Sequence, residues 1–310
     1  MNTPTTSPTS PVPPSPRRRF RSEPAWVPWL FLSPFVLTIA VFLLWPLIQS
    51  VILSLHQTNG PKTSAWVGLG NFKFLLTDPL FWKALTNTVT FAIGSVFLQL
   101  PLSLGLALLL NRPGLKGRAF FRLIFFAPSL VGLVFVGLMF ALMFEKRTGL
   151  INVTLHSLFA SFNPEFAWLE IYVMPAIILA ALWLYVGFNM IYFLAALQNV
   201  PAELLEAASL DGAGPWQRFR HVIVPEIMPV VSFVVLLALL GSFQLFELPF
   251  ILLNGPGPDN RGLTIVMYLY QTGFVTGDLG YASAIGWMLA LMLGTFALGQ
   301  RLWLKKEEAK

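Results

Sequence analysis

Cysteine is absent from the 310 residues, which excludes disulfides, thiolate metal sites and cysteine nucleophiles. Charge is scarce too. Asp, Glu, Lys and Arg make up 11% of the chain, against roughly a quarter in a soluble domain, so water is not its main solvent. The three histidines, His56, His156 and His221, lie far apart in sequence and give no expectation of a metal cluster. No G-x-x-x-x-G-K-[ST] segment occurs, so the chain lacks the loop and lysine that cradle nucleotide phosphates. Interior acids are nearly missing as well, with Glu247 the sole candidate. An ion-coupled secondary transporter would call for membrane-buried carboxylates and two corresponding triads of spans. A membrane enzyme acting on lipid-linked sugars would call for catalytic acids or a metal site near an interface. These are the two competing readings, and neither finds its constellation here.

What the chain has in abundance is apolar length: 56% of its residues are hydrophobic. The runs are continuous rather than alternating, and several reach the roughly 20 residues that a helix needs to cross a bilayer. They fall at about Pro28–Leu55, Ala84–Leu110, Ala119–Phe144, Tyr172–Leu197, Pro229–Leu253 and Tyr281–Leu304. The expectation is an all-α membrane protein with six transmembrane helices, in which Pro34, Pro46, Pro101 and Pro128 kink rather than end their helices. Residues 1–24 are rich in Pro, Ser and Thr and then basic, a composition that predicts a disordered tail ahead of a six-helix transmembrane domain over 25–310.

The net charge of +6 does not point to nucleic acid, because the basic residues flank apolar spans instead of covering one face. With the N-terminus inside, fourteen of the twenty Lys and Arg fall on that side, among them Arg17, Arg18, Arg19, Arg112, Lys116, Arg118, Arg122, Arg218, Arg220 and Lys310. Lys62, Lys73, Lys83, Lys146, Arg147 and Arg261 fall opposite. The asymmetry predicts that both termini are cytosolic.

About thirty residues separate the fourth and fifth spans on that side, more than a hairpin requires. In the stretch 200–225, Pro201 suits a first helical position, with Glu203 near the positive end of the helix dipole. Asp211-Gly212 supplies a helix stop and Gly214-Pro215 a second start. The expected product is a helix–turn–helix outside the membrane, either docked in a partner's groove or resting on the lipid surface.

Glu206-Ala207-Ala208, three residues, Gly212, nine residues and Val222-Ile223-Val224-Pro225 resemble the EAA loop of permeases in binding-protein-dependent ABC importers. Val222 and Val224 stand where that family usually has Ile and Leu. The resemblance extends to the carbohydrate branch that contains maltose and glycerol-phosphate permeases of the larger-subunit type. It runs through Gly149-Leu150-Ile151-Asn152, Trp183, Gly187-Phe188-Asn189, Leu194-Ala195-Ala196-Leu197, Ser242-Phe243-Gln244-Leu245-Phe246, Asn254-Gly255-Pro256-Gly257 and Tyr281-Ala282-Ser283-Ala284.

The resemblance implies a MetI-like fold in a prokaryotic cytoplasmic membrane, paired with a second permease subunit. It further implies two ATPase subunits that carry ATP and Mg, an external solute-binding protein, a sugar-like substrate and no cofactor in this chain. It assigns coupling to the ATPase to Glu206, Ala207, Ala208, Asp211 and Gly212. The alanines permit close docking, and Gly212 permits the turn without a Cβ penalty. Polar residues inside spans are costly in hydrocarbon and tend to face a cavity or another helix. Gln99, Asn189, Gln244 and Glu247 are therefore candidates for the substrate path, with Trp183, Tyr185, Phe243 and Phe246 as faces for sugar rings. For Gln99 and Asn189 the alternative is an interhelical hydrogen bond; for the aromatic residues it is packing.

Overall fold

The computed structural model describes residues 26–60, 64–112 and 114–308. The expected tail at 1–24, Lys62, Pro113 and Lys310 lie outside the described residues. The chain divides into two compact units, 1–49 and 50–310. Helix α1 (Trp29–Ser54) begins in the first and ends in the second. In the second unit a two-stranded antiparallel hairpin, β1 (His56–Thr58) and β2 (Ser64–Trp66), leads into α2 (Gly70–Thr77). Helix α3 (Pro79–Leu110) follows, then α4 (Arg118–Phe126), α5 (Leu133–Met143) and α6 (Leu150–Leu158). The chain continues through α7 (Val173–Gln198), α8 (Ala202–Leu210), α9 (Pro215–Phe243), α10 (Glu247–Leu253), α11 (Ile265–Val275) and α12 (Leu279–Leu302). Five of these helices, α1, α3, α7, α9 and α12, are long and apolar enough to cross a membrane, and the count is six if the bent pair that includes α4 and α5 is one span. The architecture is the expected all-α, multi-spanning one.

Three prolines are accommodated by local widening of the helix, whereas Pro34 and Pro229 sit within regular α-helix. A proline at i has no N–H for the carbonyl at i−4, and its ring collides with that carbonyl. In each of three helices a π turn ends two residues ahead of such a proline: Ala40–Leu44 before Pro46, Ser95–Gln99 before Pro101 and Phe219–Ile223 before Pro225. The wider turn takes up the misfit, so the helix continues. Pro128 behaves differently. It sits in a 3-10 turn, Ala127–Leu130, followed by extended backbone at Val131 and Gly132, and the helices on either side meet at 96°. The continuous span expected over Ala119–Phe144 is therefore broken in its middle. The fifth span is displaced as well: its helix starts at Pro215 and stops at Phe243, short of the expected Leu253.

Close contacts set the helix directions. A Cβ on Gly94 would lie 2.6 Å from Ile178, and Ser103 Oγ is within hydrogen-bond distance of the carbonyls of Gln99 (2.8 Å) and Val186 (2.9 Å). These pairs place α3 and α7 side by side and parallel. Leu110, Leu197 and Ile227 share one core cluster, while Phe91, Ala181 and Leu245 share another, so α9 runs the opposite way. Gln300 Nε2 donates to the carbonyl of Ser232 at 2.6 Å, placing the end of α12 beside the middle of α9. The ends of α3, α7 and α12 thus meet at the end of the bundle that carries α8.

The opposite end is fastened by buried amides. Asn71 Nδ2 donates to the carbonyls of Ser54 and His56, each at 2.9 Å. Asn87 Nδ2 donates to those of Asn260 (2.8 Å) and Leu263 (2.9 Å). Asn152 Nδ2 donates to those of Lys146 and Phe166, each at 2.9 Å, and its Oδ1 accepts from Trp168 Nε1 at 2.7 Å. Each NH2 group has two hydrogens, so each amide ties two backbone points at once. The Gly149–Asn152 stretch has a local reason: a Cβ on Gly149 would lie 2.2 Å from the Glu145 carbonyl. The Glu145 carboxylate accepts from the Thr148 N–H, the Thr148 hydroxyl and the Arg147 N–H. The Thr148 N–H contributes most to holding it below the usual carboxylate range.

Asp78 fixes the start of α3. Its Oδ1 accepts from the Leu80 N–H at 2.9 Å, and its Oδ2 accepts from the hydroxyls of Tyr281 (2.6 Å) and Tyr268. Asp78 and Tyr281 are both buried. Asp78→Ala is expected to cost about 3 kcal/mol, because hydrogen bonds to a charged acceptor are lost and hydroxyls are stranded. The thermal midpoint of purified protein measures this; a midpoint equal to wild type would show the network to be dispensable.

Candidate functional site

The first candidate site is α8 and its ends. Pro201 stands at the N-cap position and Ala202 is the first helical residue, one position later than the sequence suggests; Glu203 lies in the first turn as expected. The helix stops at Gly212, whose φ of +82° favours glycine. The Ala213 N–H donates to the Ala208 carbonyl at 2.9 Å and the Gly212 N–H to that of Ser209 at 3.1 Å, the paired bonds of a Schellman stop. Nothing lies within 4 Å of where a Gly212 Cβ would be, so backbone angle alone calls for glycine. Gly214 then caps α9, its N–H donating to Gln217 Oε1 at 2.8 Å. The expected second extramembrane helix is not separate: it is the first part of α9, which runs on through its π turn into the span.

No residue of α8 is buried. Glu206, Ala207, Asp211 and Gly212 are exposed and Ala208 is half-buried. Glu206 forms no ion pair or hydrogen bond among the described residues. Leu210 is 90% exposed at the helix tip, and Trp216 is 68% exposed beside it. Ala208, Asp211, Gly212, Gln217, Arg218 and His221 line a cleft of about 290 Å³ between α8 and the start of α9.

The second candidate site lies between α3, α7 and α9. Gln99, Tyr185 and Asn189 line one cavity of about 160 Å³ together with Ser95, Phe188 and Ser242. Gln99 and Asn189 are 6% and 7% exposed, yet neither side-chain amide makes a hydrogen bond among the described residues. The interhelical bond that was the alternative for them is not formed there. The π turn Ser95–Gln99 and the approach of Gly94 to Ile178 bring Ser95 and Gln99 to this cavity.

The other candidates lie elsewhere. Phe243 lines a separate, mainly apolar groove between α9 and α12. Phe246 stacks on Phe250 at 5.1 Å and meets Tyr270 at 5.2 Å. Trp183 packs edge-on against Phe140 at 5.9 Å. Gln244 and Glu247 are exposed where α9 breaks into α10. Ser95 and Ser242 were missed in the sequence although they are polar residues inside apolar runs, the signal that singled out Gln99.

Residues 99–303 match the model of the family described as binding-protein-dependent transport system inner membrane component. The chain is 38% identical over 280 residues, covering 88% of itself and 86% of the relative, to the arabinooligosaccharides transport system permease protein of Halalkalibacterium halodurans. It is 35% identical over 276 residues to the lactose transport system permease protein of Rhizobium radiobacter, covering 88% of this chain and 92% of the relative. Among solved structures, a chain of a bacterial ABC transporter involved in the import of the acidic polysaccharide alginate superposes with a TM-score of 0.79. That match is 24% identical, covers 91% of this chain and 96% of the other, and speaks for the fold.

Proposed function

From the premise that this chain belongs to the binding-protein-dependent transport system inner membrane component family, we infer how its two sites divide the work of import. The chain is a membrane permease component of a binding-protein-dependent ABC importer for a carbohydrate-like solute. It carries no nucleotide-binding loop, so ATP and Mg act on a separate ATPase.

The observation that carries the division is α8: a helix with no buried residue, closed by a Schellman stop and tipped by Leu210 at 90% exposure. Such a helix supplies an apolar anchor for a groove on the ATPase, with Glu206, Ala207, Ala208, Asp211 and Gly212 as the contact face. Because the next helix, α9, runs unbroken from Pro215 to Phe243, a push on α8 is delivered to a wall of the Gln99–Asn189 cavity. Our reading has a second permease and two ATPase subunits, an external solute-binding protein, and both chain termini in the cytosol, the last supported by the Lys and Arg asymmetry. Within the family, the maltose and glycerol-phosphate larger-subunit branch is the reading that the sequence resemblance favours, and the sugar-transporting relatives support a sugar as the solute.

The unpaired amides of Gln99 and Asn189 are the polar groups proposed to meet solute hydroxyls. The cavity holds about five waters at ~30 Å³ each, so a larger solute passes only when α3, α7 and α9 part. Proteoliposomes containing the assembled importer test this. Uptake is expected to require both ATP and the binding protein; uptake driven by an ion gradient alone would replace this reading with secondary transport. In the same assay Asn189→Leu is expected to reduce uptake about tenfold, the worth of a hydrogen bond or two to solute, with no loss of thermal stability. A stability loss without a transport defect would make Asn189 a bundle residue instead.

A further inference from the structure

We propose that Arg118 and Arg122 hold the phosphate of an anionic phospholipid at the end of the bundle that carries α8. From Pro79 to Phe144 the sequence contains no Asp or Glu, while Arg112, Lys116, Arg118 and Arg122 fall within eleven residues of it. Arg118 and Arg122 are four apart and share one face of α4. The Nε atoms of both are buried and have no hydrogen-bond partner among the described residues. Arg118 reaches the Arg112 carbonyl at 2.7 Å through one Nη. Neither guanidinium forms an ion pair among the described residues.

The outer face of the helix that carries this pair is apolar. Phe120, Phe121, Leu123 and Ile124 of the same helix are exposed. Its last turn packs against Gly187 in the middle of α7, so α4 descends from the bundle end into the apolar layer. Two cations on a helix entering hydrocarbon need a counter-ion, and the helix supplies none. At that boundary the abundant anion is the lipid phosphate, whose oxygens accept paired N–H groups from guanidinium. Arg112 and Lys116, both exposed in the preceding turn, add to the field. The site uses no residue of either solute-transport site and stands apart from that reading.

Native mass spectrometry of the purified protein, equilibrated with phosphatidylglycerol and phosphatidylcholine in mixed micelles, tests it. The wild type is expected to retain phosphatidylglycerol preferentially. Arg118→Gln/Arg122→Gln is expected to cut that preference about tenfold or more, at roughly fivefold per basic residue near a membrane surface. Lys83→Gln, a basic residue near the opposite end, is expected to leave it unchanged. Arg122→Lys keeps the charge without the planar fork and is expected to lose part of the preference, which keeps the test open if the double variant fails to fold. Equal retention by wild type and both arginine variants would overturn the proposal. So would displacement of the lipid by excess inorganic phosphate, which would make this a site for a soluble anion.

Discussion

Gly187→Ala is expected to lower the thermal midpoint of the purified protein more than any other single methyl addition along α7. A Cβ at position 187 would lie 1.7 Å from the Phe125 carbonyl oxygen, 2.3 Å from its carbon and 2.9 Å from the Phe126 nitrogen. All three are backbone atoms, so no rotamer change relieves the overlap. The end of α4 must move away from α7, and the broken crossing that follows moves with it. Overpacking a core costs about 1–3 kcal/mol where side chains can yield; against fixed backbone the upper end of that range is the minimum expected. Gly105→Ala provides the control, since nothing lies within 4 Å of its added methyl. That variant is expected to be neutral or slightly stabilising through helix propensity. Indistinguishable melting of the two variants would show that α4 docks on α7 loosely.

Gly212→Pro is expected to abolish coupled uptake while leaving membrane insertion and the thermal midpoint unchanged. Proline holds φ near −65°, whereas Gly212 sits at +82° and its N–H donates to Ser209. The Schellman stop cannot form, and at about 3 kcal/mol of misfit the native loop would be populated roughly a hundredfold less. Stability is spared because α8 buries nothing. ATP hydrolysis by the assembled complex should continue without transport. Gly212→Ala meets no neighbour and bears only the left-handed strain of about 1 kcal/mol, so most uptake should survive. Normal coupled uptake by the proline variant would remove Gly212 from the coupling machinery.

The two variants mark the limits of what was legible in the chain. Gly212 and Pro215 could be read directly as helix stop and start, because φ preferences are local and depend on no distant residue. Gly187 was noticed only as part of a familial stretch; that its missing Cβ admits a carbonyl from α4 is a property of two helices in contact. The same holds for the polar residues. Gln99, Asn189, Gln244 and Glu247 all read as polar groups in apolar runs, yet two line a common cavity and two lie exposed at a helix break. Periodicity reports a side chain's place along its own helix and carries no information on which neighbour that helix meets.

By itself the sequence determined the membrane class, the all-α multi-spanning architecture and the place of the α8 loop. Hydrophobic length, charge asymmetry and turn chemistry are each carried by contiguous residues, so these features are written in one stretch at a time. Only the tertiary structure decided that the third crossing breaks at 96° and that the fifth ends at Phe243. It also decided that Asp78 holds Tyr268 and Tyr281, and that Gln99 and Asn189 share a cavity without bonding to the bundle. Those outcomes depend on the distance of closest approach between helices, which small residues and prolines set jointly across segments far apart in the chain.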